Sequence, residues 1–132
     1  MAFARVTAFE FLRRAYEQNR LAHAYLITGA PGSGKEVLAA ELASLINGTP
    51  AEDIFSPKAR EVFVARPESK SRRIVIDQIR ELERELHMRS FFGGRKIGII
   101  FDAERLQAQA ANAFLKTLEE PAAGALLLAS VL

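Results

Sequence analysis

The sequence has no cysteine, which excludes disulfides, thiolate zinc sites and a cysteine nucleophile. Its two histidines, His23 and His87, lie far apart and make a poor metal pair. No apolar run approaches the roughly 18–20 residues of a membrane span. The N-terminal stretch MAFARVTAFEFLRR places charges every few residues, so it lacks the apolar centre of a signal peptide. The expected location is the cytoplasm, with no membrane partner. A surplus of one charge sign is also missing. Eighteen Lys and Arg face sixteen Asp and Glu, a net of +2, too small to argue nucleic-acid binding from charge alone. No internal repeat or low-complexity segment is evident. What is present is the balance of a globular chain: 132 residues, 49% hydrophobic and 26% charged, enough for one domain with a buried core.

The periodicities alternate. Thr7-Ala8-Phe9-Glu10 has capping-box spacing, and Phe11, Leu12, Ala15 and Tyr16 follow on one helical face, predicting a helix over about 8–18. Ala24 to Thr28 is a short apolar run that suits a strand buried on both faces. Leu38, Leu42, Leu45 and Ile46 form a helical stripe that Asn47-Gly48 should end. Residues 49–60 read as mostly loop, and Glu61 to Ala65 as a second strand. The stretch 66–73 carries Arg66, Lys70, Arg72 and Arg73 against Glu68; it reads as a solvated loop, with contact to DNA or a partner as the alternative. Asp77 can cap a helix holding Ile79, Leu82 and Leu86 inward. Gly93-Gly94 reads as a turn, Lys96 to Phe101 as a third strand, 108–120 as a helix stopped by Pro121, and Ala125 to Ser130 as a fourth strand. Strands alternating with helices imply an α/β fold: a parallel sheet with helices on both faces.

The break after the first strand is Gly29-Ala30-Pro31-Gly32-Ser33-Gly34-Lys35-Glu36, a G-x-x-x-x-G-K phosphate loop. Glycines let several N–H groups curl toward one anion. The next helix presents its positive end to the same point, and Lys35 adds a mobile charge for the outer phosphates. By composition the pattern arises by chance in roughly 4% of chains this long. Its placement between a buried strand and an amphipathic helix is what separates it from a glycine-rich turn with a surface lysine. The eighth position departs from the motif. Ser or Thr ordinarily meets Mg²⁺ there, whereas Glu36 either reaches the metal or sits in solvent as a favourable first-turn charge. Either way, weakened or altered metal-nucleotide binding is expected. The third strand ends at Asp102, where a carboxylate could support Mg²⁺. A water-orienting Glu is expected directly after it. Ala103 stands there instead, and Glu104 is one residue too late. Glu119 and Glu120 end their helix at the unfavourable pole, with Lys116 as the offset. They either face a neighbour's basic group or are simply solvated.

Leu21-Ala22-His23-Ala24-Tyr25-Leu26, the phosphate loop, Ile76-Asp77-Gln78-Ile79-Arg80 and above all AANAFLKTLEEP, ending at Pro121, together resemble bacterial DNA polymerase III clamp-loader subunits over about residues 7–130. Within that family IDQIREL and FDAERL are similar to the delta-prime type, whereas the gamma/tau motor type has Asp-Glu where Asp102-Ala103 stands. The resemblance implies a P-loop NTPase fold of the AAA+ type over 1–132, cut after the fourth core strand, with lid and collar domains beyond it. In that fold the first strand lies between the fourth and a fifth, so it is expected at an open sheet edge. The implied role is in a machine that loads the sliding clamp on primed DNA beside gamma/tau and delta subunits, with nucleotide bound weakly or not at all and little or no hydrolysis by this chain. The implied ligands are ATP and Mg²⁺. The four-cysteine zinc module usual near 48–60 is ruled out by composition, so no zinc is expected. The family's sensor position falls at Ser130, and His23 is expected to pack or cap. The alternatives are an active gamma/tau-type motor, with Lys35 on the phosphates and Asp102 on Mg²⁺, or an unrelated P-loop enzyme such as a small kinase.

Overall fold

Unbroken apolar strands need cover on both faces, and helices between successive strands supply it. A computed structural model describes residues 5–30, 32–68, 72–88 and 95–131. The elements run α1 (Arg5–Glu17), β1 (Ala24–Thr28), α2 (Lys35–Asn47), β2 (Val62–Ala65), α3 (Ile76–His87), β3 (Ile97–Ile100), α4 (Ala108–Glu119) and β4 (Leu126–Val131). Short 3-10 turns occupy Ala51–Asp53 and Ala103–Arg105. All strand pairs are parallel, in the order β1-β4-β3-β2. The expected edge position of β1 beside β4 is therefore observed. Pro31, Lys70 and the Gly93-Gly94 turn lie outside the described residues.

Alternation along the two central strands divides the core. Ile97, Ile99, Phe101, Leu126 and Leu128 meet Leu12, Leu38 and Leu42 beneath α1 and α2. Ile100, Leu127 and Ala129 meet Ile79, Leu82, Leu86 and Ala110 beneath α3 and α4. Gly98 is what lets α3 close on the sheet. A Cβ there would stand 3.0 Å from Leu127 Cδ2 and 3.1 Å from Leu86 Cδ1. At the amino edge the buried Lys96 ammonium donates to Glu85 O at 2.5 Å and lies 3.7 Å from the equally buried Glu61 carboxylate.

Several local expectations need correction. β1 is not buried on both faces: Leu26 is 64% exposed, because α3 and α4 sit over the other strands and leave this face of the edge strand uncovered. Thr7 does not cap α1, since the helix already includes Arg5. The helix is instead braced by Arg13, which bonds Glu10 at 2.7 Å and also pairs with Glu17. That guanidinium holds the Glu10 carboxyl below the usual carboxylate range. Asp77 is not the cap of α3. Val75 is, with the Gln78 Oε1 accepting its N–H at 3.0 Å, and Asp77 serves as a favourable first-turn charge. Glu61 lies outside β2 with φ of 67°. Residues 49–60 are mostly loop, as expected, around the first 3-10 turn, and Glu68 bridges Arg73 inside the basic stretch. The stop at Gly48 is as expected, with φ of 88° and its N–H on Ser44 O.

Two substitutions test this packing. Gly98→Ala must displace leucine methyls on β4 and α3, and should destabilise by about 1–3 kcal/mol. Leu42→Ala, at a site with no exposure, should cost about 2–5 kcal/mol. Urea unfolding should report both as lower midpoints with an unchanged slope.

Candidate functional site

In a parallel sheet the carboxyl ends of the strands share one edge, and residues leaving them converge. Because β4 lies between β1 and β3, its last residues separate the glycine loop after β1 from Asp102 after β3. The loop is curled. Ser33 N–H donates to Ala30 O at 3.1 Å, and Gly32 and Gly34 have φ of 80° and 94°, the left-handed region open to glycine. Gly29 is needed for close approach, since a Cβ there would fall 2.5 Å from Ser33 Oγ. No side chain caps α2, and the first N–H groups of a helix have no partner within it, so the start of α2 is open to an anion, although Gly29 and Ser33 spend their own N–H groups on carbonyls. Ala30 and Ser33 belong to this curl. Glu36 stands exposed in the first turn of α2.

Lys35 is not a free arm. Its Nζ donates to Val131 O at 3.0 Å, and Gly29 N–H donates to the same carbonyl at 3.2 Å. Ser130 is buried, and its hydroxyl oxygen accepts the Asp102 N–H at 3.2 Å. The residue expected as a sensor thus holds the backbone of the acidic residue beside it. Asp102 has φ of 56° and ψ of 53°, a left-handed conformation that Asp tolerates better than most residues. The chain then turns at once into Ala103–Arg105, so strand alternation no longer governs Ala103 and Glu104. Glu104 is exposed on that turn.

Two hollows flank the loop. Between α1 and β1 a cavity of about 570 Å³ is lined by Phe11, Leu12, Leu26, Ile27 and Leu38 and opens on Gly29, Ala30, Ser33, Gly34 and Lys35. On the other side, a cleft of about 400 Å³ lies between Glu36 and Asp102 and is lined by Arg66, Arg72 and Arg105. Sequence reading missed this arginine set, because its members come from two separate segments. The Ile74–Leu106 bridge brings those segments together. The donor set does not suit a resident Mg²⁺, which wants oxygen ligands in octahedral array. The cleft has no hydroxyl at position 36, and three guanidiniums stand with its two carboxylates. Among the described residues no group of three His, Cys, Asp or Glu could hold a metal ion. No helix among them is long and apolar enough to cross a membrane.

The signature helix has an inner and an outer face. Ala110 and Thr117 are buried in α4, and the Thr117 hydroxyl lies 3.2 Å from Glu83 Oε2 on α3. Asn112, Leu115, Lys116 and Glu119 face outward, as does Glu120 just past the helix. His23 does cap: its Nε2 donates to Leu118 O of α4 at 3.3 Å.

A family model described as DNA polymerase III, delta subunit, matches residues 5–131. The chain is 35% identical over 119 residues to DNA polymerase III subunit delta' of Pseudomonas aeruginosa, covering 81% of this chain and 36% of that protein. It is 32% identical over 127 residues to the Escherichia coli delta' subunit, covering 87% and 38%. A tau/gamma subunit of Haemophilus influenzae is 33% identical over 119 residues, covering 83% of this chain and 17% of that one. Among solved structures, a gamma subunit-related protein of Thermotoga maritima matches with a TM-score of 0.73 and 34% identity, over 93% of this chain and 38% of that chain. The chain spans little more than a third of the length of the delta' relatives. The fold is the parallel α/β arrangement of the AAA+ type. The chain belongs to the DNA polymerase III delta subunit family, and its likeness is to the delta' members.

Proposed function

We propose that this chain serves as a delta'-type part of a clamp loader. In this reading it docks against gamma/tau- and delta-type subunits in the cytoplasm and helps place a sliding clamp on primed DNA. It binds nucleotide weakly and turns it over poorly, acting as a scaffold within the machine. The observation that carries the reading is Ala103, which opens the 3-10 turn directly after Asp102. A hydrolytic site needs a carboxylate there to orient water, and a methyl group neither accepts nor relays a proton.

Nucleotide binding draws support from the curled loop and the uncapped start of α2. Lys35 spends its Nζ on a neutral carbonyl. An arriving phosphate offers a charged acceptor, and a bond of that kind is roughly twice as strong. The cavity of about 570 Å³ beside the loop falls in the size range of small-molecule sites, and its apolar lining suits a base.

The competing reading is an ATP-hydrolysing motor, supported by the likeness to a tau/gamma subunit. Steady-state phosphate release from the full protein separates the two. Release at background, unchanged by Lys35→Ala, is expected; robust release that Lys35→Ala abolishes would establish the motor. In a titration with a fluorescent ATP analogue, Lys35→Ala should weaken binding by about tenfold, or ~1.4 kcal/mol. Co-purification with a tau/gamma-type subunit is expected and tests the assembly role directly.

A further inference from the structure

We propose that the cleft between the start of α2 and the end of β3 holds the terminal phosphate of a nucleotide on Arg66, Arg72 and Arg105, with no divalent cation. The inference rests on the nucleotide reading above and specifies how that site is charged. Glu36, which directly follows Lys35, forms one wall of the cleft, so the cleft begins where the phosphate loop passes into α2. Asp102, at its far wall, hangs from Ser130, the neighbour of the residue that Lys35 touches. A phosphate chain running outward from the loop would enter this cleft.

The Arg66 side chain and the backbones of Arg72 and Arg105 are held in place. The Arg66 guanidinium carbon lies 4.7 Å from the centroid of the Phe101 ring. Phe101 is buried and meets Phe55 edge-on at 5.2 Å. Arg66 O accepts from Gln78 Nε2 at 2.9 Å. Arg72 N–H donates to Glu68 O at 3.2 Å, and Arg72 adopts a left-handed φ of 53°. Arg105 O accepts Ile74 N–H at 2.9 Å, and Arg105 N–H donates to Asp102 O at 2.8 Å. The backbones of all three are thus tied around one opening, which lowers the ordering needed when an anion binds.

The charge arithmetic selects the ligand. Three guanidiniums against Glu36 and Asp102 leave +1. Arginine cannot shed its charge, and its forked donors match phosphate oxygens. A Mg²⁺ entering between the two carboxylates would face three fixed positive groups, whereas a phosphate would face three donors. The two carboxylates interrupt the basic surface and disfavour a long polyanion, so a compact phosphate fits better than a nucleic-acid backbone.

The test is calorimetric titration of the full protein with ATP, once in EDTA and once in excess Mg²⁺. Dissociation constants equal within about threefold are expected. The double variant Arg72→Ala/Arg105→Ala should weaken binding about tenfold in EDTA, with an unchanged circular-dichroism melt. The corresponding double Lys variant should restore part of the loss. Binding that appears only with Mg²⁺ overturns the inference and leaves nucleotide binding standing. No binding in either buffer, with Lys35→Ala equally silent, overturns the nucleotide reading itself. A duplex oligonucleotide whose binding falls in the double Ala variant, while ATP binding does not, reassigns the cleft to nucleic acid and overturns the inference.

Discussion

Two donors converge on one carbonyl at the carboxyl end of β4. Gly29 N–H and Lys35 Nζ both reach Val131 O, so the first and last glycine-loop landmarks are anchored to the same atom. One residue earlier, Ser130 takes the Asp102 N–H. The central position of β4 in the sheet makes this possible, since only a strand paired on both sides can touch both neighbours at its tip. The loop, its lysine and the acidic residue are therefore positioned by β4 and not by one another. Its burial is nearly complete from Leu126 to Ser130, and a packed interior transmits misplacement instead of absorbing it. A change in β4 packing would move all three groups together.

The strand–loop–helix unit was legible because its signals are local and agree. An apolar run, three glycines and a helical stripe occupy adjacent segments, and each points to the same arrangement. The parallel order was legible from alternation. The exposed side of β1 was not, because an apolar strand at an edge reads the same as one in the middle; only the coverage by α3 and α4 distinguishes them. The caps failed for a related reason. Thr7 and Asp77 have the right chemistry near helix starts, but α1 had already begun and the Gln78 side chain took the Val75 amide. Capping residues compete, and spacing alone does not name the winner.

The arginine cleft shows the same limit at the site. Arg66 and Arg72 read as members of a solvated basic stretch, and Arg105 drew no notice beside Asp102. Their convergence depends on the pairing of Ile74 with Leu106, two residues 32 positions apart by their numbering. No periodicity carries that information. The one available hint was Glu36, where the hydroxyl expected of a metal-assisted loop is replaced by a carboxylate. A departure from a motif marks where the surroundings must have changed, without saying how.

The two departures, Glu36 and Ala103, make chemical sense together. Splitting the phosphoanhydride of a nucleoside triphosphate requires both charge stabilisation and an oriented water. Arginines at Asp102 supply fixed positive charge, whereas Ala103 offers nothing to a water. Positive charge can hold a bound phosphate, but without an oriented water it leaves no nucleophile in line to split it. On the proposed reading, a loop held by β4 and opening on a basic cleft would bind a nucleotide without splitting it. In the proposed scaffold role, a ligand bound without being split would stabilise the folded domain by mass action, at a level that turnover does not change.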